Sequence, residues 1–375
     1  MTTHSRITLR MIAERANVSL TTVSAALRGR YDVASETRQK IITIARQLGY
    51  SPDPALTALV AYRNSLRNAH FKGSIVLLTF GNTAECWKDD IFTQIIFDTA
   101  RMRASELGYE LTPFWTGSYA DNPAAWVKVL QNRGVQGALL GLIKEPTGVT
   151  LPDALPLSVV GISRSLDWTG FDFVAHDLFS ANSLAWDKCI NHGYKRIGYI
   201  TSHYTEQKAS FRLLAAYLEK QDQAGPQIAK LPVLQLNNPD QARLDTWLKT
   251  NRPDALISSS SIIQTEVQKL GYSCPGDLGL VNPVIIVDQS PPGREIKPKR
   301  PPTADPLKHE MTGAESGVVQ PVEAMAIEAV ELLHSKLIMN QRGRPGKQKA
   351  VVIGGFWQEG ITLPQRFEKK KRVQS

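Results

Sequence analysis

The chain has 375 residues, 42% hydrophobic and 21% charged, a composition that builds two or three compact globular units. No apolar run reaches the ~18 residues of a membrane span, and the N-terminus shows no apolar signal region. Three widely spaced cysteines (Cys86, Cys189, Cys274) exclude a disulfide framework and a CxxC metal site and point to a reducing cytoplasm. The net charge of +9 is uneven: residues 1–72 carry +7, residues 366–375 carry +4, and the body between them is close to neutral. A basic head on a neutral body suits a polyanionic partner, and a solvated basic face is the alternative reading.

The first elements are helical. Leu9, Ile12, Ala13 and Ala16 stand at i, i+3, i+4 and i+7 and predict a short amphipathic helix with Thr8 at its N-cap. After Asn17-Val18, Ser19 caps a second helix that turns Val23, Ala26 and Leu27 inward. Its outward residues are Leu20, Thr21, Thr22, Ser24, Ala25 and Arg28. Residues 29–32 form a loop, and Ser35 caps a third helix with Ile41, Ile44, Ala45 and Leu48 on one face, stopped by Gly49. Three short helices, the first two joined by a tight turn, make a helix-turn-helix head. On spacing alone the pattern also fits a small helical cap on an enzyme.

Asp53-Pro54 is an N-cap followed by a proline at N1, and Leu56, Leu59, Val60 and Arg63 follow at helical spacing. Nothing before residue 73 offers this helix a core, and isolated helices shorter than ~12–15 residues are marginal in water. It should therefore form when docked, or else serve as an ordinary helical linker.

From residue 73 strands and helices alternate. Strands are predicted over 74–80, 110–115, 137–142 and 158–162, with helices over 91–107 and 124–132. A second series follows: helix 178–191, strand 196–201, helix 210–221, strand 232–236, helix 240–249, strand 255–258, helix 262–270 and strand 284–287. Near-continuous apolar strands belong to parallel sheets buried on both faces. Two such α/β halves form a bilobed body whose cleft suits a small ligand. Residues 289–312, rich in proline, read as a loop or a disordered insertion.

Residues 8–28 read TLRMIAERANVSLTTVSAALR and resemble the head of the lactose/galactose repressor (LacI/GalR) family, whose pattern runs TxxDVAxxAGVSxxTVSRxLN. The match continues through VASETR at 33–38 and LGYSP at 48–52. The body resembles that family's effector-binding core more weakly, through NHGYKRIGYI at 191–200, LGYSCPGDL at 270–278, and Val319-Gln320-Pro321 followed by Met325 and a helix over 326–338.

The resemblance implies an α/β chain. An all-α helix-turn-helix head (1–52) and a hinge helix with linker (53–72) precede a bilobed, periplasmic-binding-protein-like core of two parallel α/β lobes (73–365), and a basic tail (366–375) follows. Crossings between lobes are expected near 175–180, 290–315 and 345–350. By resemblance Leu20, Thr21 and Ala25 face base edges in the major groove, where Thr21 can hydrogen-bond and the other two offer apolar contact. Ala25 stands where many relatives carry arginine. Ser19, Thr22, Ser24 and Arg28, with Thr8, are placed for the phosphates that position the head. Leu59 matches the hinge leucine that wedges into the minor groove.

No HExxH, GxSxG, GxxxxGKS or GxGxxG motif occurs, so neither an enzyme nor a metal or cofactor is expected. For a sugar-type effector, aromatic and hydrogen-bonding groups at strand ends are the candidates: Trp87, Asp177, Arg212 and Asp288. Arg212 lies about half a turn beyond the register of the family's arginine, and Ser259-Ser260-Ser261 replace its Asn-Asp pair. The reading is a cytoplasmic, nucleoid-associated homodimeric regulator, a repressor on a pseudo-palindromic operator, controlled by a sugar or sugar derivative. The alternative is a sugar sensor or architectural DNA binder without a defined operator.

Overall fold

Residues 8–27, 33, 35–48, 73–88, 90–119, 122–141, 151, 155–164, 169–260, 262–287 and 315–366 are described by a computed structural model. At the N-terminus, α1 (Leu9–Ala16), α2 (Leu20–Leu27) and α3 (Ser35–Gln47) each contribute one wholly buried residue, Ile12, Val23 and Ile41, to a shared core. Ala13, Ala16, Ala26 and Ala45 complete it, and their small side chains let short helices approach closely. Asn17 turns α1 into α2 from a left-handed conformation (φ 56°), with its N–H on the carbonyls of Ala13 and Glu14. Asparagine takes that conformation more readily than most residues. Thr8 stands at the N-cap of α1, but its hydroxyl makes no cap hydrogen bond there, contrary to the sequence reading.

The first lobe is built on β1 (Gly73–Thr79), β2 (Tyr109–Trp115), β3 (Val135–Leu140), β4 (Ser158–Ile162), β5 (Asp172–His176) and β11 (Ala350–Ile353). They form a six-stranded sheet in the order β11-β5-β4-β3-β1-β2, with every pairing parallel. Side chains alternate across a strand. Ile75 and Leu77 accordingly join a core with α4 (Ile91–Glu106) and α11 (Val322–Ile338), while Val76 and Leu78 join a core with Trp126, Val127 and Leu130 of α5 (Pro123–Asn132).

The second lobe holds β6 (Ile197–Thr201), β7 (Leu234–Gln235), β8 (Ala255–Ile257), β9 (Gly279–Ile285), β10 (Gly317–Val319) and β12 (Phe356–Gln358). Their order is β12-β10-β9-β8-β6-β7, parallel throughout except for β12, which runs antiparallel to β10. α6 (Leu178–Asn191) and α8 (Arg212–Gln223) cover one face, through Trp186, Cys189, Leu213 and Tyr217. α9 (Gln241–Asn251) and α10 (Ile263–Lys269) cover the other, through Leu244, Trp247, Leu248 and Val267.

The chain passes between the lobes three times. It leaves β5 of the first sheet at Asp177 and enters α6 of the second lobe. The second passage differs from the expected 290–315. β9 and β10 are neighbours in one sheet, so the connection between them starts and ends in the second lobe, and the chain crosses after β10, at Gln320-Pro321, into α11 on the first. The third passage is Gly354-Gly355, between β11 and β12, a few residues beyond 345–350.

Proline explains one displaced boundary. β9 runs straight through Pro283, whereas the sequence reading starts the strand after it, because a residue without an N–H breaks a ladder. The sheet accommodates it with an irregularity: β10 pairs Gly317 with Asn282 and Val319 with Ile285, so two steps on one strand answer three on the other. Arg366, assigned from the sequence to the tail, is anchored in the second lobe. Its N–H reaches the His192 carbonyl at 2.8 Å, and its guanidinium lies over the Tyr194 ring and 3.6 Å from Asp254.

Candidate nucleic-acid interface and inter-lobe cleft

The start of α2 is a capped helix end with a bare apolar side chain on it. Ser19 Oγ accepts the Thr22 N–H at 3.0 Å and sits 2.7 Å from the Thr22 hydroxyl. Leu20, the next residue, is 52% exposed, an unusual state for a leucine whose neighbours Val23 and Ala26 are fully buried. The first turn of α2 carries no acidic residue, so its free N–H groups and the helix dipole face outward unopposed by a carboxylate of the helix. Thr21, Ser24 and Ala25 lie on α2, but their side chains are outside the described ones. Arg28, Leu59 and the joint as a whole lie outside the described residues. Ser19→Ala removes the cap, and about 1 kcal/mol of local helix stability should go with it. Hydrogen exchange of the α2 amides in the full chain measures that loss; unchanged protection would mean that the hydroxyl is not holding the turn.

Ligands of open α/β sheets bind beyond the C-terminal ends of the strands, and of the candidates Trp87 and Asp177 lie in the segments that follow β1 and β5. Trp87 lies on a short 3-10 turn after β1, and its ring packs 4.5 Å from Phe97 at 50° against the first-lobe core. Lys88 lies over the same ring and pairs with Glu85. The Trp115 indole N–H donates to the Gly81 carbonyl at 2.7 Å and fixes this loop from the other side. Trp87 is thus an anchor of the loop.

Asp177 caps α6, accepting the Ser180 N–H at 3.2 Å and the Ser180 hydroxyl at 2.7 Å. Partial desolvation works against its charge, yet the hydrogen bonds from Ser180 outweigh it and hold the carboxyl below the usual aspartate range. Arg212 is the first residue of α8 and exposed. Asp288 lies outside the described residues.

The displacement of Arg212 has a structural cause that periodicity did not reveal. A six-residue helix, α7 (His203–Lys208), intervenes after β6, capped by Ser202. Glu206 on it is completely buried, accepting the Tyr199 hydroxyl at 2.5 Å, the Thr201 hydroxyl at 2.8 Å and the Leu214 N–H at 3.1 Å. Burial, then the Glu206 carboxylate, push the Tyr199 phenol well above its ordinary range, so it remains a donor. The chain then passes through Ser210 and Phe211, both left-handed (φ 50° and 56°), before α8 begins. Two such residues in succession are costly for non-glycine side chains. They leave the Phe211 ring 44% exposed beside His203, with ring centroids 6.1 Å apart. Neither Phe211 nor Glu206 was among the sequence candidates; a polar six-residue helix carries no apolar periodicity to announce them.

Residues 8–53 match the model of bacterial regulatory proteins of the lacI family, and residues 186–355 match that of the periplasmic binding protein-like domain. The chain belongs to the LacI family. Its relatives include the HTH-type transcriptional repressor PurR of Shigella dysenteriae serotype 1 and of Escherichia coli O1:K1. Each is 24% identical over 287 residues, covering 73% of this chain and 79% of the relative. Among solved structures, a transcriptional regulator CelR–cellobiose complex shares the fold over 95% of this chain and 100% of that one, with a TM-score of 0.52 at 19% identity. A lac repressor dimer bound to operator and the anti-inducer ONPF shares it over 96% and 100%, with a TM-score of 0.50 at 15% identity. This LacI-family member is a DNA-binding transcription regulator whose core is built to bind an effector. Among the described residues no helix is long and apolar enough to cross a membrane.

Proposed function

We propose that the protein is a dimeric repressor that reads a pseudo-palindromic operator with α2 and is controlled by a sugar or sugar derivative held between its lobes. The observation that carries the DNA reading is the exposed Leu20 beside the Ser19 cap, on a head that matches the family model. The start of such a helix reaches base edges in the major groove. In this reading Leu20, Thr21 and Ala25 face bases, Thr8, Ser19, Thr22, Ser24 and Arg28 face phosphates, and the joint over 53–72 places Leu59 in the central minor-groove step. The name of the PurR relatives supports the repressor sign, and the CelR–cellobiose complex supports a carbohydrate effector.

For the effector we favour Trp87, Arg212 and Asp177, with Asp288, and add Phe211 as an aromatic platform on the second lobe. The cytoplasm is the compartment in which such a protein meets both ligands, and no catalytic role is proposed. Ala25 favours a second reading, an architectural binder without a defined operator, because an alanine cannot make the bidentate guanine contact of an arginine. Genome-wide mapping of the protein on DNA in its own cell separates the two. A short pseudo-palindrome with a flexible pyrimidine–purine step at its centre is the expected result. A diffuse, motif-free footprint would overturn the repressor reading.

A further inference from the structure

All three passages between the lobes meet at one imidazole. His176 ends β5 immediately before the first passage, is 2% exposed, and pairs with Ile353 of β11, the residue before the third. A side-chain carbon on Gly355, in the third passage, would stand 2.7 Å from His176 Nε2 and 2.5 Å from the carbonyl oxygen of Val319, which leads into the second. The buried ring therefore lies against the third passage beside the start of the second, and Gly355 is glycine because the Val319 carbonyl and the ring leave no room for a side chain.

Among the described residues neither ring nitrogen of His176 has a hydrogen-bond partner. Trp357, just beyond the third passage and paired with Val318, likewise holds a buried indole N–H with no acceptor among the described residues. Buried polar groups without partners are rare and disfavour the conformation that creates them. Here both gather where the lobes must bend against one another, and separating the passages would let water satisfy them.

We infer that His176 is a proton-sensitive catch in the hinge: the packed arrangement of the three passages accepts only the neutral imidazole, and protonation favours the lobes moving apart.

The charges around the ring allow the sign to be worked out. Val318, Val319, Ile353 and Gly355 bring no titratable group, and among the described residues the charge acting on the ring is that of Asp177 on its own strand end. Burial pushes the imidazole down to about 4, and the Asp177 carboxylate offsets this only in part. In a hydrated, opened hinge the ring would titrate near the ordinary ~6.5. Above that pH both arrangements are neutral and the packed hinge keeps its full stability. As the pH falls from about 6.5 towards 4 the opened form gains a proton that the packed form refuses, at about tenfold per unit. This couples the lobe angle to acidity whatever the effector is.

Hydrogen exchange of the full chain at pH 7.5 and 5.5, corrected for intrinsic exchange, reads the hinge directly in peptides covering 172–180, 316–322 and 350–358. The opened population of the native protein should rise about tenfold at the lower pH, and His176→Gln and His176→Leu should abolish the rise. A native rise no larger than that of the variants overturns the inference. Should the variants fold poorly, NMR titration of the native imidazoles decides: a His176 midpoint well below 6 supports the catch, and one near 6.5 refutes it.

Discussion

Lys336→Met should cost about 3–5 kcal/mol of stability, because it strands a buried carboxylate. Lys336 on α11 and Asp172 at the start of β5 are each only 3% exposed, with Nζ 2.6 Å from Oδ2. The other carboxylate oxygen accepts the Lys349 N–H at 2.8 Å, just ahead of β11. One aspartate thus holds three segments that arrive from distant parts of the sequence. Removing the lysine leaves its charge in an apolar interior, and removing the charge as well restores much of the loss. The double variant with Asp172→Asn, which keeps an acceptor for Lys349, should accordingly recover a large part of the stability. Chemical denaturation of both proteins measures this; a loss below about 1 kcal/mol for the single variant would show that water reaches the pair.

Gly317→Ala should be the second most damaging small substitution. A methyl group at Gly317 would overlap the carbonyl oxygen of Asn282 on β9 and crowd the end of the Ile285 side chain. The obstacle is backbone, held in place by the irregular pairing around Pro283, so it cannot swing aside as a flexible side chain would. Overpacking of this kind costs about 1–3 kcal/mol, and here it also forces apart the two strands that lead into the second passage. Denaturation should report the loss, and limited proteolysis should open a new cleavage near residue 320. A variant as stable and as resistant as the native chain would mean that β10 can move away from β9 freely.

The head was legible because each helix shows its buried stripe at full helical spacing and ends at a residue with a stereochemical reason to be there. The long strands of the first lobe were legible as apolar runs. β5, β10, β11 and β12 were not: β5 begins and ends on the polar Asp172 and His176, and the short β10, β11 and β12 stand outside the regular alternation of strand and helix that announces β6 and β8; β9 was cut short by a proline that the sheet tolerates through an irregular register. The cleft was harder still. Sequence marks Trp87 as a large ring after a strand but not that Phe97 occupies one of its faces. It marks Asp177 before a helix but not that Ser180 occupies both of its oxygens. Phe211 gave no signal, because its exposure is created by a polar helix and two left-handed residues.

The interleaving of the lobes has a consequence for synthesis. The first lobe lacks α11 and β11 until residues 322–353 have been made, and the second lobe lacks β12 until residue 358. Past that, Thr362 and Leu363 stitch the chain end to Ser316 and Leu280. Neither lobe can therefore close behind the ribosome while the other is still emerging; the first waits for residue 353 and the second for residue 358. Long-range contacts of this kind form slowly and leave apolar surface exposed meanwhile. A chain broken off before residue 338 would leave both lobes incomplete together, so that truncation there yields no half-regulator with a working head and one intact lobe.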